Sequence, residues 1–150
     1  MNYFSGRFLN SVDIKGRVAI PHKFRKLLGA SQIVITKGLD GCLYSYTVEN
    51  WEKLLEKLEN LSQWNSSARK LRIFFAGNAD YVDIDKQGRI NLNSNFIKLL
   101  KLDNSNKERK VLFVGDIDKI QIWNPEDFDQ FMGDVESDIN KIAEELSFSF

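Results

Sequence analysis

Apolar residues recur along this chain with two different periods. Phe8, Leu9 and Val12 sit among polar residues and read as a strand. Arg17-Val-Ala-Ile20 reads as another, and the Asp13-x-x-Gly16 step between them predicts a turn, so the two are expected to form a hairpin. His22 to Leu28 changes period: Phe24, Leu27 and Leu28 fall on one helical face, Pro21 stands at its start and Gly29 at its end. Ile33-Val-Ile-Thr36 and Leu43-Tyr-Ser-Tyr46 are β-branched and aromatic runs flanking Gly38-Leu-Asp-Gly41, a second strand pair. From near Glu49 the spacing is helical again, through Trp51, Leu54, Leu55, Leu58 and Leu61. Trp64-Asn-Ser-Ser67 breaks that helix. Ser66 or Ser67 is placed to cap another, bearing Ala68, Leu71, Phe74 and Phe75.

The pattern then repeats. Asp13 to Leu28 aligns without gaps to Asp85 to Leu100, 72 residues further on. Asp13/Asp85, Gly16/Gly88, Arg17/Arg89, Phe24/Phe96, Lys26/Lys98, Leu27/Leu99 and Leu28/Leu100 are identical. Seven identities in sixteen positions in one register are unlike chance. After a shift of five, Leu43/Ile120, Tyr46/Trp123, Glu49/Glu126 and Trp51/Phe128 correspond. The second half ends in a helix from about Pro125, carrying Phe128, Phe131, Val135, Ile139, Ile142 and Leu146. Asp103 to Glu108 is a polar loop before the strand Val111-Leu-Phe-Val114. Each half is small for a core of its own, which predicts one α+β unit in which the halves pack together.

Composition narrows the class. The 150 residues are 43% hydrophobic, ordinary for a folded chain and unlike a disordered one. No apolar run approaches a membrane span, and the N-terminal residues lack the apolar centre of a signal peptide. Cys42 is the sole cysteine, so no internal disulfide forms, in keeping with a reducing compartment. With His22 as the only imidazole, a Cys/His metal cluster is excluded. The formal net charge is zero, which argues against a nucleic-acid partner until its distribution is read. Residues 1–29 carry +5, residues 30–115 carry +3 and residues 116–150 carry −8. The zero conceals a basic head and an acidic tail.

Catalysis is poorly provided for. His22 is the only histidine to serve as base, and neither a G-x-G-x-x-G nor a Walker-type loop occurs. Cys42 reads as a small buried hydrophobe. Asp13 and Asp85, with Gly16 and Gly88, read as turn-structuring residues. The richer chemistry lies at the turns. Lys15 and Arg17 flank Gly16, and Lys86 and Arg89 occupy the equivalent turn. A two-stranded ribbon fits the major groove, and arginine reads guanine with two donors. Arg7, Lys23, Arg25 and Lys26 are available for phosphates. In the competing reading, Arg17 and Arg89 serve only as partners of Asp13 and Asp85.

Taken together, the motifs resemble the MraZ family of transcriptional regulators, relatives of the AbrB/SpoVT swapped-hairpin factors. The residues concerned are Tyr3-Phe-Ser-Gly6, Asp13-Ile-Lys-Gly-Arg-Val-Ala-Ile-Pro21, Phe24-Arg25, Thr36-Lys-Gly-Leu-Asp-Gly-Cys-Leu43, Trp51-Glu-Lys-Leu54, Arg72-Ile-Phe-Phe-Ala-Gly77, Asp85-Lys-Gln-Gly-Arg-Ile90 and Ile122-Trp123. They span nearly the whole chain. The resemblance implies one domain over residues 1–150, with AbrB-like ββαβ motifs at residues 5–50 and 77–124 interleaved into a small β-barrel-like body with flanking helices. It implies a ring-shaped homo-oligomer that binds double-stranded DNA at short direct repeats in its own promoter. The usual outcome is repression of the division and cell wall cluster, in the cytoplasm and at the nucleoid, with no cofactor, membrane or small-molecule substrate. The family's DNA-contacting Asp-x-x-x-Arg falls on Asp13 to Arg17, with a copy at Asp85 to Arg89. The second copy departs from the family at Asn91-Leu-Asn-Ser-Asn-Phe96, and the counterpart of Arg25 is Ile97. An oligomeric interaction scaffold using the acidic tail is the alternative.

Overall fold

A computed structural model describes residues 3–103 and 108–150; residues 104–107 of the polar loop lie outside the described residues. The first half runs β1 (Arg7–Ser11), β2 (Arg17–Ala19), α1 (His22–Leu28), β3 (Gln32–Lys37), β4 (Leu43–Thr47) and α2 (Val48–Glu59). After α3 (Ser66–Gly77), the second half runs β5 (Asp80–Asp83), β6 (Arg89–Asn91), α4 (Ser94–Leu99), β7 (Lys110–Asp116), β8 (Lys119–Trp123) and α5 (Pro125–Glu145).

Six strands form one antiparallel sheet in the order β1-β7-β8-β4-β3-β5. With β1 equivalent to β5, β7 to β3 and β8 to β4, this order reads the same from either end. Each half donates its first strand to the other: β1 pairs with β7, and β5 pairs with β3. At the centre Tyr44 lies opposite Gln121, its own counterpart after the five-residue shift. The halves are swapped as expected, but the sheet stays open, with β1 and β5 at its edges, and does not close into a barrel.

β1 and β2 do not form the anticipated hairpin. A single bridge, Val12 to Val18, links the residue just past β1 to β2, and β2 pairs instead with β6. A local hairpin in each half would have kept Val18 and Ile90 apart. Pairing the two copies buries Val18 and Ile90 together, each 1% exposed. The β3–β4 pair forms as expected.

Alternation along the strands sends residues to two cores. Ile33, Ile35, Leu43, Phe113, Ile120 and Ile122 face β2, β6, α1 and α4, where Val18, Phe24, Ile90 and Phe96 pack. Val34, Tyr44, Tyr46 and Trp123 face the other way, against Trp51 and Leu58 of α2, Phe75 of α3 and Phe128 of α5. Thr36 fastens α3 to the sheet, its hydroxyl donating to the Phe75 carbonyl at 2.7 Å.

Three details differ from the sequence expectation. The cap of α3 is Asn65, whose Oδ1 accepts from the Ala68 amide at 3.1 Å, with Ser66 already helical. Asparagine is as good an acceptor as serine, and Asn65 is the residue left extended. Leu71 on α3 and Ile139 on α5 are exposed, as is Leu146 just past the end of α5, so the apolar stripes of both helices outrun the core. Leu61 lies beyond the end of α2. Gly29 ends α1 in the left-handed region, as its position suggested.

Candidate nucleic-acid interface

Each turn is built around an aspartate. Asp13 Oδ1 accepts the amides of Lys15 (2.9 Å) and Arg17 (2.8 Å), while Oδ2 accepts Arg17 Nε (2.8 Å). The Asp13 amide donates to the Arg17 carbonyl, and the Gly16 amide to the Asp13 carbonyl. Asp85 repeats the pattern with the amides of Gln87 and Arg89 (both 2.9 Å) and Arg89 Nε (3.0 Å). Gly16 and Gly88 have φ of 85° and 78°, which an L side chain adopts only with strain. The same donors stabilise the ionised carboxylates. Asp13 titrates below the ordinary aspartate range chiefly because the Arg17 amide bonds its charged form, against a smaller opposing effect of burial. Asp85 does so through the Arg89 amide.

The two turns are tied together. The Ile20 amide donates to the Gly88 carbonyl, and the Leu92 amide to the Gly16 carbonyl, both at 2.9 Å. Ile20 and Leu92 are counterparts, as are Gly16 and Gly88, so the two bonds are related by the internal two-fold. One face of the molecule therefore carries both turns in a fixed relation.

Arg17 and Arg89 do pair with their own aspartates, but only through Nε. Their Nη nitrogens make no hydrogen bond among the described residues. An end-on donor pair is left for an external acceptor, so pairing within the turn and reading a base are compatible. Lys15 and Lys86 are exposed. Lys86 is the counterpart of Ile14, however, and Gln87 is the counterpart of Lys15. Ile14 is 89% exposed at the tip of the first turn.

The remaining cations separate. Lys23 is held near the chain start, with Nζ 3.2 Å from the Ser5 carbonyl oxygen. Arg25 crosses to the other half, donating Nη1 to the Gln87 carbonyl at 3.3 Å. Arg7 is not part of the turn face: its guanidinium lies over the Phe128 ring at 4.9 Å, on the side of the sheet covered by α5. The alternation of β1 dictates this, because Phe8 packs in the opposite core. His22 is exposed at the start of α1. Cys42 is fully buried with Sγ 3.2 Å from the Leu39 carbonyl, and burial pushes its thiol up to about 12. Among the described residues no group of three or more His, Cys, Asp or Glu is placed to hold a metal ion, and no helix is long and apolar enough to cross a membrane.

Sequence reasoning missed Arg109. Its Nη2 donates to the Asp13 carbonyl at 2.8 Å, its Nε to the Val12 carbonyl at 3.2 Å, and its Nη1 to the Leu102 carbonyl. It sits 96 residues from Asp13 next to a polar loop, and only its lack of a basic counterpart in the first half sets it apart.

These features define a duplicated swapped-hairpin α+β protein with a paired set of Asp-x-x-x-Arg turns. The family described as "MraZ protein, putative antitoxin-like" matches the chain twice, over residues 3–74 and 75–148. The chain is also similar to the "Transcriptional regulator MraZ" of Natranaerobius thermophilus, 39% identical over 143 residues, covering 95% of this chain and 96% of the relative. That of Clostridium tetani is 41% identical over 144 residues, covering 96% of each. The chain belongs to the MraZ family.

Proposed function

We propose that the protein is a sequence-specific DNA-binding transcriptional regulator, acting without a cofactor or an enzymatic activity of its own. The observation that carries the reading is the pair of cross-linked turns, in which an aspartate holds each arginine by Nε and leaves its Nη donors for a base edge. The names of the relatives support the regulatory role. The family likeness extends the proposal to a cytoplasmic, nucleoid-associated repressor of the division and cell wall cluster. It would bind short direct repeats upstream of its own gene. One turn offers few base contacts and binds weakly. A ring of identical copies gains avidity where repeat spacing matches subunit spacing, which also explains how a chain of zero net charge selects a repeated site over DNA at large.

In this reading Arg17 and Lys15 approach the bases, Arg89 and Lys86 lie beside them on the second turn, and Lys23 approaches the backbone. Arg17→Ala, checked for fold and mass, loses about 1–3 kcal/mol of affinity for a fragment of the gene's upstream region. Unchanged affinity and unchanged salt dependence would remove the assignment. A second reading, an interaction scaffold, draws on the acidic α5 and the exposed Ile139, Leu146, Phe148 and Phe150 around its end. A protein that prefers upstream DNA no more than random DNA at any salt concentration favours the scaffold.

A further inference from the structure

We infer that the two turns of one chain are unequal in function: the first is the reading turn, positioned by Arg109, and the second is covered by Arg25. The inference rests on the DNA-binding reading above and says which part of it each half carries.

The internal two-fold supplies the comparison. The Val12 amide donates to the Arg109 carbonyl at 2.7 Å, and its counterpart, the Ile84 amide, donates to the Ser31 carbonyl at 2.8 Å. Ser31 therefore occupies in the second half the place that Arg109 occupies in the first. Under the first turn a guanidinium donates to the carbonyls of Val12, Asp13 and Leu102 at once. Under the second, a serine cannot reach that far, and an open cleft of about 330 Å³ remains, lined by Arg25, Gly29, Ala30, Ser31, Ile84 and Asp85. The base of the first turn is braced by a side chain as well as by the backbone, whereas the base of the second keeps only the Ile84–Ser31 backbone bond.

The other side of each turn shows the reverse. Arg25 donates to the Gln87 carbonyl and packs so tightly on Gly88 that a Cβ there would lie 2.2 Å from its Cζ. At the first turn the counterpart of Arg25 is Ile97, whose Cδ1 would be 3.6 Å from a Cβ at Gly16, an ordinary contact with no donor. The first turn is thus held from beneath, with no guanidinium over Gly16. Entry of the second turn into a groove would require Arg25 to leave Gln87. A braced turn presents Arg17 in one geometry, and such preorganisation strengthens binding without adding a contact.

Arg109→Ser gives the first turn the residue found beneath the second. We expect amide exchange at Lys15 and Arg17 to quicken about tenfold while Gln87 and Arg89 keep their rates, and binding to the upstream DNA to weaken by about the same factor. Arg109→Lys keeps the charge and loses the three-way fork, so it should restore neither; recovery of DNA affinity by lysine would make Arg109 a simple charge contact and overturn the inference. Arg89→Ala should weaken DNA binding less than Arg17→Ala. Unchanged exchange in Arg109→Ser, or equal losses in Arg17→Ala and Arg89→Ala, would also overturn it. If the unsubstituted protein shows no preference for upstream DNA, the proposed function falls, while the exchange rates still decide whether Arg109 braces the turn.

Discussion

Val18 lies directly opposite Ile90, the residue that repeats it 72 positions later. A pair made of a residue and its own counterpart sits on the internal two-fold, so the β2–β6 ribbon is where the two halves become one body. Both side chains are 1% exposed. Ile90→Ala removes buried methyl and methylene groups where neither half can collapse without moving the other. The expected cost is about 3 kcal/mol, read as a fall of about 6–12 °C in thermal midpoint. Val18→Ala with Ile90→Ala should depart from additivity by more than about 0.5 kcal/mol, because the two touch. Additive losses in denaturant melts would mean that the ribbon is not a shared core.

Gly88 is fixed by two demands, and they can be separated. Its φ of 78° disfavours any L side chain, and Arg25 occupies the space a Cβ would need. Gly88→Ala should cost about 1–2 kcal/mol from the backbone alone, with a further loss from displacing Arg25. The further loss should vanish in the Arg25→Ala background, which chemical denaturation of the four proteins would show. Gly16→Ala meets the Leu92 carbonyl oxygen at 3.1 Å instead, so Arg25→Ala should not relieve it.

The sequence made the duplication, the helices and the aspartate turns legible, because each has a local cause. Asp13 and Gly16 announce a turn through their own side-chain and backbone preferences, and Phe24 and Leu28 announce a helical face. The partner of β2 was not legible. A hairpin and a swapped ribbon bury the same Val18, and the choice depends on Ile90, which local pattern does not rank. The position of Arg7 was not legible either: its charge suits phosphate, but the face it occupies depends on which core takes Phe8. Arg109 left no periodic signal, because its role consists of bonds to carbonyls far away in the chain.

Asn124 joins α5 to the rest of the second half. Its Oδ1 caps the helix by accepting the Asp127 amide at 3.0 Å, and its Nδ2 donates to the Leu100 carbonyl at the end of α4, also at 3.0 Å. Thr47 caps α2 at the equivalent point, through the Asn50 amide. Asn124→Ala leaves one helix amide and one buried carbonyl without these partners and should cost about 2–3 kcal/mol. Asn124→Ser keeps a cap and should recover roughly half. Equal midpoints for the two variants would show that the cap contributes nothing beyond the Leu100 bond.

The turns should also fail at low pH, in a direction set by Asp13 and Asp85. Both carboxyls titrate below the ordinary aspartate value, held there first by the amides of Arg17 and Arg89 and then by the guanidinium and the remaining turn amide. A group with a lowered folded-state value stabilises the fold fully above its unfolded value. That contribution is lost as pH falls through the folded value. The turn amides of Lys15, Arg17, Gln87 and Arg89 should therefore hold constant chemical shifts from about pH 7 down to the ordinary aspartate range, and move together below it. Asp13→Asn keeps an oxygen for the two amides but loses the charge that orients Arg17. It should preserve the turn at all these pH values while weakening DNA binding. Asp13→Ala removes both and should loosen the first turn even at neutral pH. Amide shifts that move well above the ordinary aspartate range in the unsubstituted protein would show that something other than these carboxylates holds the turns.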